Sequence, residues 1–255
     1  MARNQASSLV CLLTASSYPH RLLHGGPYQG YQHFWRYAFP SHDVTVSFYW
    51  AGFLVNATGK VEDYKRRYSH VHLDQPHDRW AADAETIDVA VLAAGHWFVI
   101  GAVYYNGSEV VGASNAPELN HTSVGSAWPL RVAYRKAVER LVSSGRRRPR
   151  TTVVLVTISP THFEGRPMDS PTACTKMEPY KKGEKDLDWI YRELRDIVYE
   201  EAKAAKENKA AARIEVLDVT TLAAMRPDGH PGAYMNRDPF ANGVPEKITM
   251  DCLHF

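Results

Sequence analysis

Two stretches of the chain are apolar almost without interruption, and they constrain its fold class most. Ile87-Asp88-Val89-Ala90-Val91-Leu92-Ala93-Ala94 is closed by Gly95, and Thr152-Val153-Val154-Leu155-Val156-Thr157-Ile158 follows an arginine-rich tract. Short runs rich in β-branched residues and lacking alternation read as strands covered on both faces, the pattern of a parallel sheet. Ile87–Ala94 is therefore expected to be a central strand. Ile214–Val219 supplies another short one. Helical spacing covers residues 2–16, 126–141 and 186–208. Leu9, Leu12 and Leu13 are the expected apolar side of the first helix, which Pro19 ends. Leu187, Ile190, Tyr191, Leu194, Ile197 and Val198 form the core stripe of the last. This alternation predicts an α/β protein, a three-layer, mostly parallel sheet with helices on both faces.

The remaining segments fit around that frame. Val44–Trp50 alternates and predicts a strand with one buried face, residues 20–43 read as an ordered loop, and residues 56–80 as a polar excursion with a short helix. Arg146–Arg150 reads as a solvated turn between helix and strand. With no repeat or flexible linker, residues 1–255 are expected to be one domain, and 44% hydrophobic residues suffice for its core.

Charge and hydropathy exclude several classes of function. Thirty basic against 28 acidic side chains leave a net charge of +2, too weak a field for nucleic acid or an anionic membrane, while a neutral glycan remains compatible. No apolar stretch reaches the roughly 18 residues of a membrane span, since Ile87–Val103 contains Asp88 and His96. Ala2–Ser8 is mostly polar and offers neither the basic start nor the apolar centre of a signal peptide. No membrane contact is expected from this segment. The 12 histidines are scattered without a zinc pattern, so no metal is expected.

The chemistry concentrates at the end of the chain, Asp251-Cys252-Leu253-His254-Phe255. A carboxylate three residues before an imidazole suits a base and its orienter for an activated hydroxyl; read alone, it is equally a surface histidine near a terminus. In open parallel sheets, sites gather beyond the carboxyl ends of strands, where Gly95-His96-Trp97 and His162-Phe163-Glu164-Gly165 are expected. Gly95 is either a turn glycine or a close approach to an oxyanion, and Asn4 a helix cap or an oxyanion donor. His96 and Trp97 offer a sugar platform, Trp97 being as readily core. Arg3 either orients a substrate group or lies on the surface. Glu178-Pro179-Tyr180 and Asp228-Gly229-His230-Pro231 read as rigid turns. Cys11, Cys174 and Cys252 fit reduced core thiols as well as a bridge. Asn56-Ala57-Thr58, Asn106-Gly107-Ser108 and Asn120-His121-Thr122 are glycosylation sequons.

Arg3-Asn4-Gln5 with Ser8-Leu9-Val10-Cys11-Leu12-Leu13, Gly95-His96-Trp97-Phe98, His162-Phe163-Glu164-Gly165, Glu178-Pro179-Tyr180, Arg226-Pro227-Asp228-Gly229-His230-Pro231 and Asp251-Cys252-Leu253-His254 occur in this order. Together they resemble the plant trichome-birefringence-like polysaccharide O-acetyltransferases, especially the xyloglucan branch. The resemblance covers residues 1–255. It implies a GDSL/SGNH esterase-like fold, residence in the Golgi, and acetyl transfer to a wall polysaccharide through an acyl-serine. Asp251 and His254 would serve the serine, and Cys174 would pair with Cys252, leaving Cys11 odd. An acetyl donor of unstated identity is required, with no bound cofactor. The family's Gly-Asp-Ser motif and its closing Trp-Cys-Leu-Pro-Gly are absent, so the chain is expected to be truncated at both ends, without its first strand and nucleophile. Ser7 and Ser8 lie within the expected helix, away from a strand-to-helix elbow, and are not substitutes. A glycan-binding pseudoenzyme and an acetyl esterase are the alternatives the same residues allow.

Overall fold

A computed structural model describes residues 3–16, 20–25, 34–144, 151–167, 170, 172–208, 212–232 and 251–254. The Arg146–Arg150 tract and Pro19 lie outside them. Three sheets are present among the described residues. β6 (Val89–Ala93), β9 (Thr152–Val156) and β10 (Arg213–Leu217) form a parallel sheet in the order β10-β9-β6, with Leu92 and Val216 both in register with Leu155. β4 (Val55–Gly59), β5 (Ser69–Pro76), β7 (Ala102–Asn106) and β8 (Glu109–Ser114) form a mixed sheet in which only β5 and β7 run parallel. β1 (Arg21–His24), β2 (Phe34–Phe39) and β3 (Val44–Tyr49) form an antiparallel meander.

One hydrophobic core joins residues of the parallel and mixed sheets with those of α3 (Ala127–Ser144) and α4 (Trp189–Glu207). The predicted stripe of α4 places Leu194, Ile197 and Val198 in it, with Ile190 and Tyr191 packed at its edge. Next to that stripe Glu201 is buried at 4% exposure. It survives there because Arg131 and Arg135 of α3 both bond its carboxylate, at 3.2 Å and 2.9 Å. No helix among the described residues is long and apolar enough to cross a membrane.

The α/β class holds, with four differences in its parts. Residues 20–43 contain β1 and β2, and residues 56–80 contain most of β4 and all of β5. In β5 polar residues alternate with buried ones, Ser69, Val71 and Leu73 pointing inward, whereas all four residues of β1 are exposed. β6 is an edge strand among the described residues. It pairs with β9 alone, so its outward Val89 and Val91 are 61% and 50% exposed. On α1 (Arg3–Ser16), Val10 is the buried residue, with Ala6 and Leu13 beside it, while Leu9 and Leu12 are exposed. The helix packs against Trp35 and Phe39 of β2, and that sheet selects a different face from the one the leucines mark.

One buried hydroxyl fixes the end of the sheet where the candidate site lies. Tyr134 of α3 accepts a hydrogen bond from the Ala94 N–H at 3.1 Å and donates to the Val156 carbonyl at 3.1 Å, closing the ends of β6 and β9. Tyr134→Phe is expected to destabilise the fold by about 1–3 kcal/mol, because it leaves two buried backbone groups without this partner. Urea denaturation measures the loss; an unchanged midpoint would show that water takes the place of the hydroxyl.

Candidate active site

Beyond β9, and after the exit of β10, the chain builds a cradle into which residues 251–254 are fitted. Asp251 and Gly232 exchange two backbone hydrogen bonds of 2.9 and 3.1 Å. The Cys252 carbonyl accepts from the His162 N–H at 3.0 Å. Cys252 is joined to Cys174 by a disulfide, with Cα atoms 5.5 Å apart. Cys11 is free and exposed.

Asp251 turns the chain back on itself. Its Oδ1 accepts from the N–H groups of Leu253 and His254, both at 3.0 Å, and this turn brings the His254 ring onto the other oxygen, with Nδ1 2.8 Å from Oδ2. A carboxylate can only accept, so Nδ1 carries the hydrogen and, in the neutral ring, Nε2 holds the lone pair. Burial favours the neutral Asp251 carboxyl, but hydrogen bonds from the His254 ring and from the His254 and Leu253 N–H groups outweigh it. They hold the acid below its ordinary range. The aspartate is buried and the histidine about one-third exposed, the arrangement of an orienting anion behind an accessible base.

Gly95 and His96 stand at the end of β6. Gly95 has φ +157°, and a Cβ there would lie 2.6 Å from Ile158 Cδ1 and 3.0 Å from its Cγ1, so both the backbone and the close approach to Ile158 favour glycine. His96 is hydrogen-bonded to the backbone of Ser159 and feels the charge of His254. The residue is only partly buried, but its Nε2 is closed to solvent and has no hydrogen-bond partner among the described residues. Burial, reinforced by the charges of His254 and His230, pushes its pKa down to about 4. Trp97 is half-buried and wedged against Gly52. Trp50 and Tyr64 meet it edge-on at 6.3 and 5.9 Å, and Tyr64 is 60% exposed. Arg3 and Asn4 open α1, and their side chains lie outside the described residues.

His96 sets an acid limit on stability. An unfolded histidine titrates near 6.5, so a folded value of about 4 means that the unfolded chain binds the proton first as pH falls. The stabilisation is complete above the unfolded value and is lost between the two, by up to about 3 kcal/mol. Between pH of about 7 and about 4 the wild type should therefore lose about 3 kcal/mol more than His96→Asn, which keeps a donor but does not titrate. Equal losses by urea denaturation would exclude His96 as the buried group.

Two more histidines enter the site, His162 from a segment expected beyond the strand ends and His230 from one read as a rigid turn. His162 is 2% exposed; its ring contacts the Ala224 carbonyl and the His230 ring, and His230 in turn contacts the His254 carbonyl. Glu164 is held by the Tyr180 hydroxyl at 2.7 Å and Lys185 at 3.2 Å, and Tyr180 N–H bonds the Met225 carbonyl. The islands 162–165, 178–180 and 226–231 thus form one support beneath residues 251–254. Their separation in sequence hid this; the only signal was that each island contains residues a plain turn does not need.

The family model for PC-esterase, the GDSL/SGNH-like acyl-esterase family found in Pmr5 and Cas1p, matches residues 1–255. The chain belongs to this PC-esterase family. It is 42% identical to xyloglucan O-acetyltransferase 1 of Populus trichocarpa and 43% identical to xyloglucan O-acetyltransferase 1 of Arabidopsis thaliana, across 100% of this chain and 59% and 58% of those relatives. Protein trichome birefringence-like 24 of Arabidopsis thaliana is 29% identical over the same share of this chain. The chain spans about three-fifths of the length of these curated relatives. As a PC-esterase it has an α/β fold, and His162, in the loop that follows β9, holds Cys252 between Asp251 and His254.

Proposed function

We propose that this PC-esterase acts as a polysaccharide O-acetyltransferase, with xyloglucan as its acceptor, through an acetyl-serine intermediate. The observation that carries this reading is the 2.8 Å contact between His254 Nδ1 and Asp251 Oδ2, which leaves Nε2 as a base. As a serine oxygen attacks the carbonyl of an acetyl donor, Nε2 takes the hydroxyl proton and returns it to the departing group. A sugar hydroxyl then gives its proton to Nε2 and attacks the acetyl-serine, and the proton goes back to the serine oxygen. Asp251 holds the ring in this tautomer and faces the imidazolium formed in each step.

In this reading the serine lies on a strand outside residues 1–255, one that would pair with the edge of β6 left open among the described residues, where Val89 and Val91 stand exposed. That position would set the strand beside Gly95 and His96. Trp97, with Trp50 and Tyr64, supplies aromatic faces against which pyranose rings can lie.

Incubating the full-length protein with an activated acetyl donor, and reading acetyl-serine and acetylated xyloglucan oligosaccharide by mass spectrometry, tests the scheme. Acetyl found on the protein and then on the glycan supports it. Hydrolysis of the donor without glycan acetylation would make the protein an esterase, and acetylation without a protein-bound intermediate would remove the serine step.

A further inference from the structure

The rings of His162 and His230 form a line of contacts between two backbone carbonyls. His162 Nε2 lies 2.9 Å from the Ala224 oxygen, His162 Nδ1 lies 2.7 Å from His230 Nε2, and His230 Nδ1 lies 2.7 Å from the His254 oxygen. A carbonyl oxygen offers only lone pairs, so the nitrogen facing each carbonyl must carry a hydrogen. Two neutral imidazoles have two N–H groups between them, and the carbonyls use both. The two inner nitrogens would then face each other, lone pair against lone pair, across 2.7 Å. Two imidazolium ions fail in the opposite way, with N–H against N–H and two like charges in contact. One additional hydrogen, shared along the central contact, satisfies all three.

We propose that His162 and His230 share a single proton and act as a positioning pair for His254, locking its main chain so that the Asp251–His254 dyad is held in place while that proton is present. The catalytic half of this inference rests on the acetyl-transfer reading; the shared proton does not.

The surroundings suit one charge and resist a second. Asp251 attracts charge on His230, and the carboxylates of Asp228 and Glu164 both feel His162. Arg226 pairs with Asp228 at 2.9 Å and Lys185 with Glu164 at 3.2 Å, which tempers both carboxylates. Tyr180, whose hydroxyl is committed to Glu164, lies with its ring 6.2 Å from that of His162. Burial opposes any charge on His230 and, with His162 and His254, holds its pKa below the ordinary range, while the His254 carbonyl and Asp251 favour the proton. The pair reaches the dyad by two routes. The His230 ring holds the His254 carbonyl, and the backbone N–H of His162 holds the Cys252 carbonyl two residues earlier.

Loss of the shared proton would set the inner lone pairs against each other, and rotation of either ring to relieve this would release a carbonyl. Activity should then fall as pH rises through the loss of that proton, which the burial of His230 brings below the ordinary histidine range.

The test uses the full-length protein with 15N-labelled histidine. The wild type should show one strongly deshielded proton with scalar coupling to nitrogens of both rings, absent in His230→Asn and in His230→Phe. His230→Phe removes the donor to the His254 carbonyl and should lower kcat about 10²-fold with KM nearly unchanged. The same variant should shift the NMR titration of His254. His230→Asn keeps a donor at the Nδ1 position, so it should recover most of kcat and lose this fall with rising pH. Absence of the shared proton from the wild type overturns the pair. Its presence together with an unshifted His254 titration in His230→Phe overturns the positioning role. Should His230→Phe fail to fold, the wild-type spectrum and the pH profile of His230→Asn decide. A failure of the acetyl-transfer reading would look different: no turnover in any protein, with the shared proton and the His254 shift still observed.

Discussion

His254→Ala in the full-length protein is expected to lower kcat by about 10⁴- to 10⁶-fold while leaving glycan binding nearly intact. The expectation follows from how little else in the described site can accept the serine proton. His96 is held neutral by burial and already hydrogen-bonds the Ser159 backbone, and the His162 and His230 rings are spent on each other and on main-chain carbonyls. Asp251→Asn should cost about 10⁴-fold for a different reason. Its side-chain oxygen can still accept from Leu253 and His254 N–H, so the turn survives, but its amide N–H now faces His254 Nδ1. The ring must accept there, its hydrogen moves to Nε2, and the base is lost without a change of shape. Because the Asp251 carboxyl is held below its ordinary range, the orienting anion persists through neutral pH. Rates of His254→Ala within about tenfold of the wild type would remove this residue from the chemistry. Unequal effects, with Asp251→Asn milder, are the signature of an orienter behind a base.

How far the sequence reveals this architecture depends on the range of the forces involved. The α4 stripe and the β9 run follow from local periodicity, and both are found where periodicity puts them. The edges of the sheets do not follow from it. Val89 and Val91 carry the composition of a covered strand, yet what covers a strand is decided by its neighbours. β1, β2, β4 and β5 were hidden for a related reason. Their exposed faces are rich in His, Asn and Arg, and antiparallel pairing needs only every second residue to be apolar. At the site, Asp251 and His254 are legible because their spacing closes a single turn. His162 and His230 are not, because 68 residues separate them and only a folded chain reveals that their rings meet. Gly95 shows what a sequence leaves open: its φ and its close approach to Ile158 give the glycine a packing role, beside the oxyanion role that its place after β6 allows.

Removing the disulfide is expected to cost about 4 kcal/mol of stability and, with it, the alignment of the dyad. Cys174 and Cys252 are 78 residues apart, and chain entropy assigns about 4 kcal/mol to cross-linking a loop of that length. The bridge lies between the two members of the dyad in sequence, since Cys252 directly follows Asp251. It anchors residues 251–254 to a segment packed on Phe163, beside His162. Without it, the contacts that hold residues 251–254 among the described residues are the two Gly232 hydrogen bonds, the His162 N–H and the His230 ring, each worth about 1 kcal/mol net. Those contacts compete with the chain entropy of several residues at about 1–2 kcal/mol each, so activity should fall along with stability. Cys174→Ser, Cys252→Ser and the double variant remove the same covalent bond and should therefore lose similar amounts, and reductant should bring the wild type close to them. Cys11→Ser, at an exposed free thiol, should change nothing. Urea denaturation of the four variants with and without reductant, together with peptide mapping of the oxidised protein, reads the outcome. A Cys11–Cys174 peptide would contradict the pairing. Variants as stable as the wild type would mean that the hydrogen bonds and packing around Asp251 hold the end of the chain by themselves.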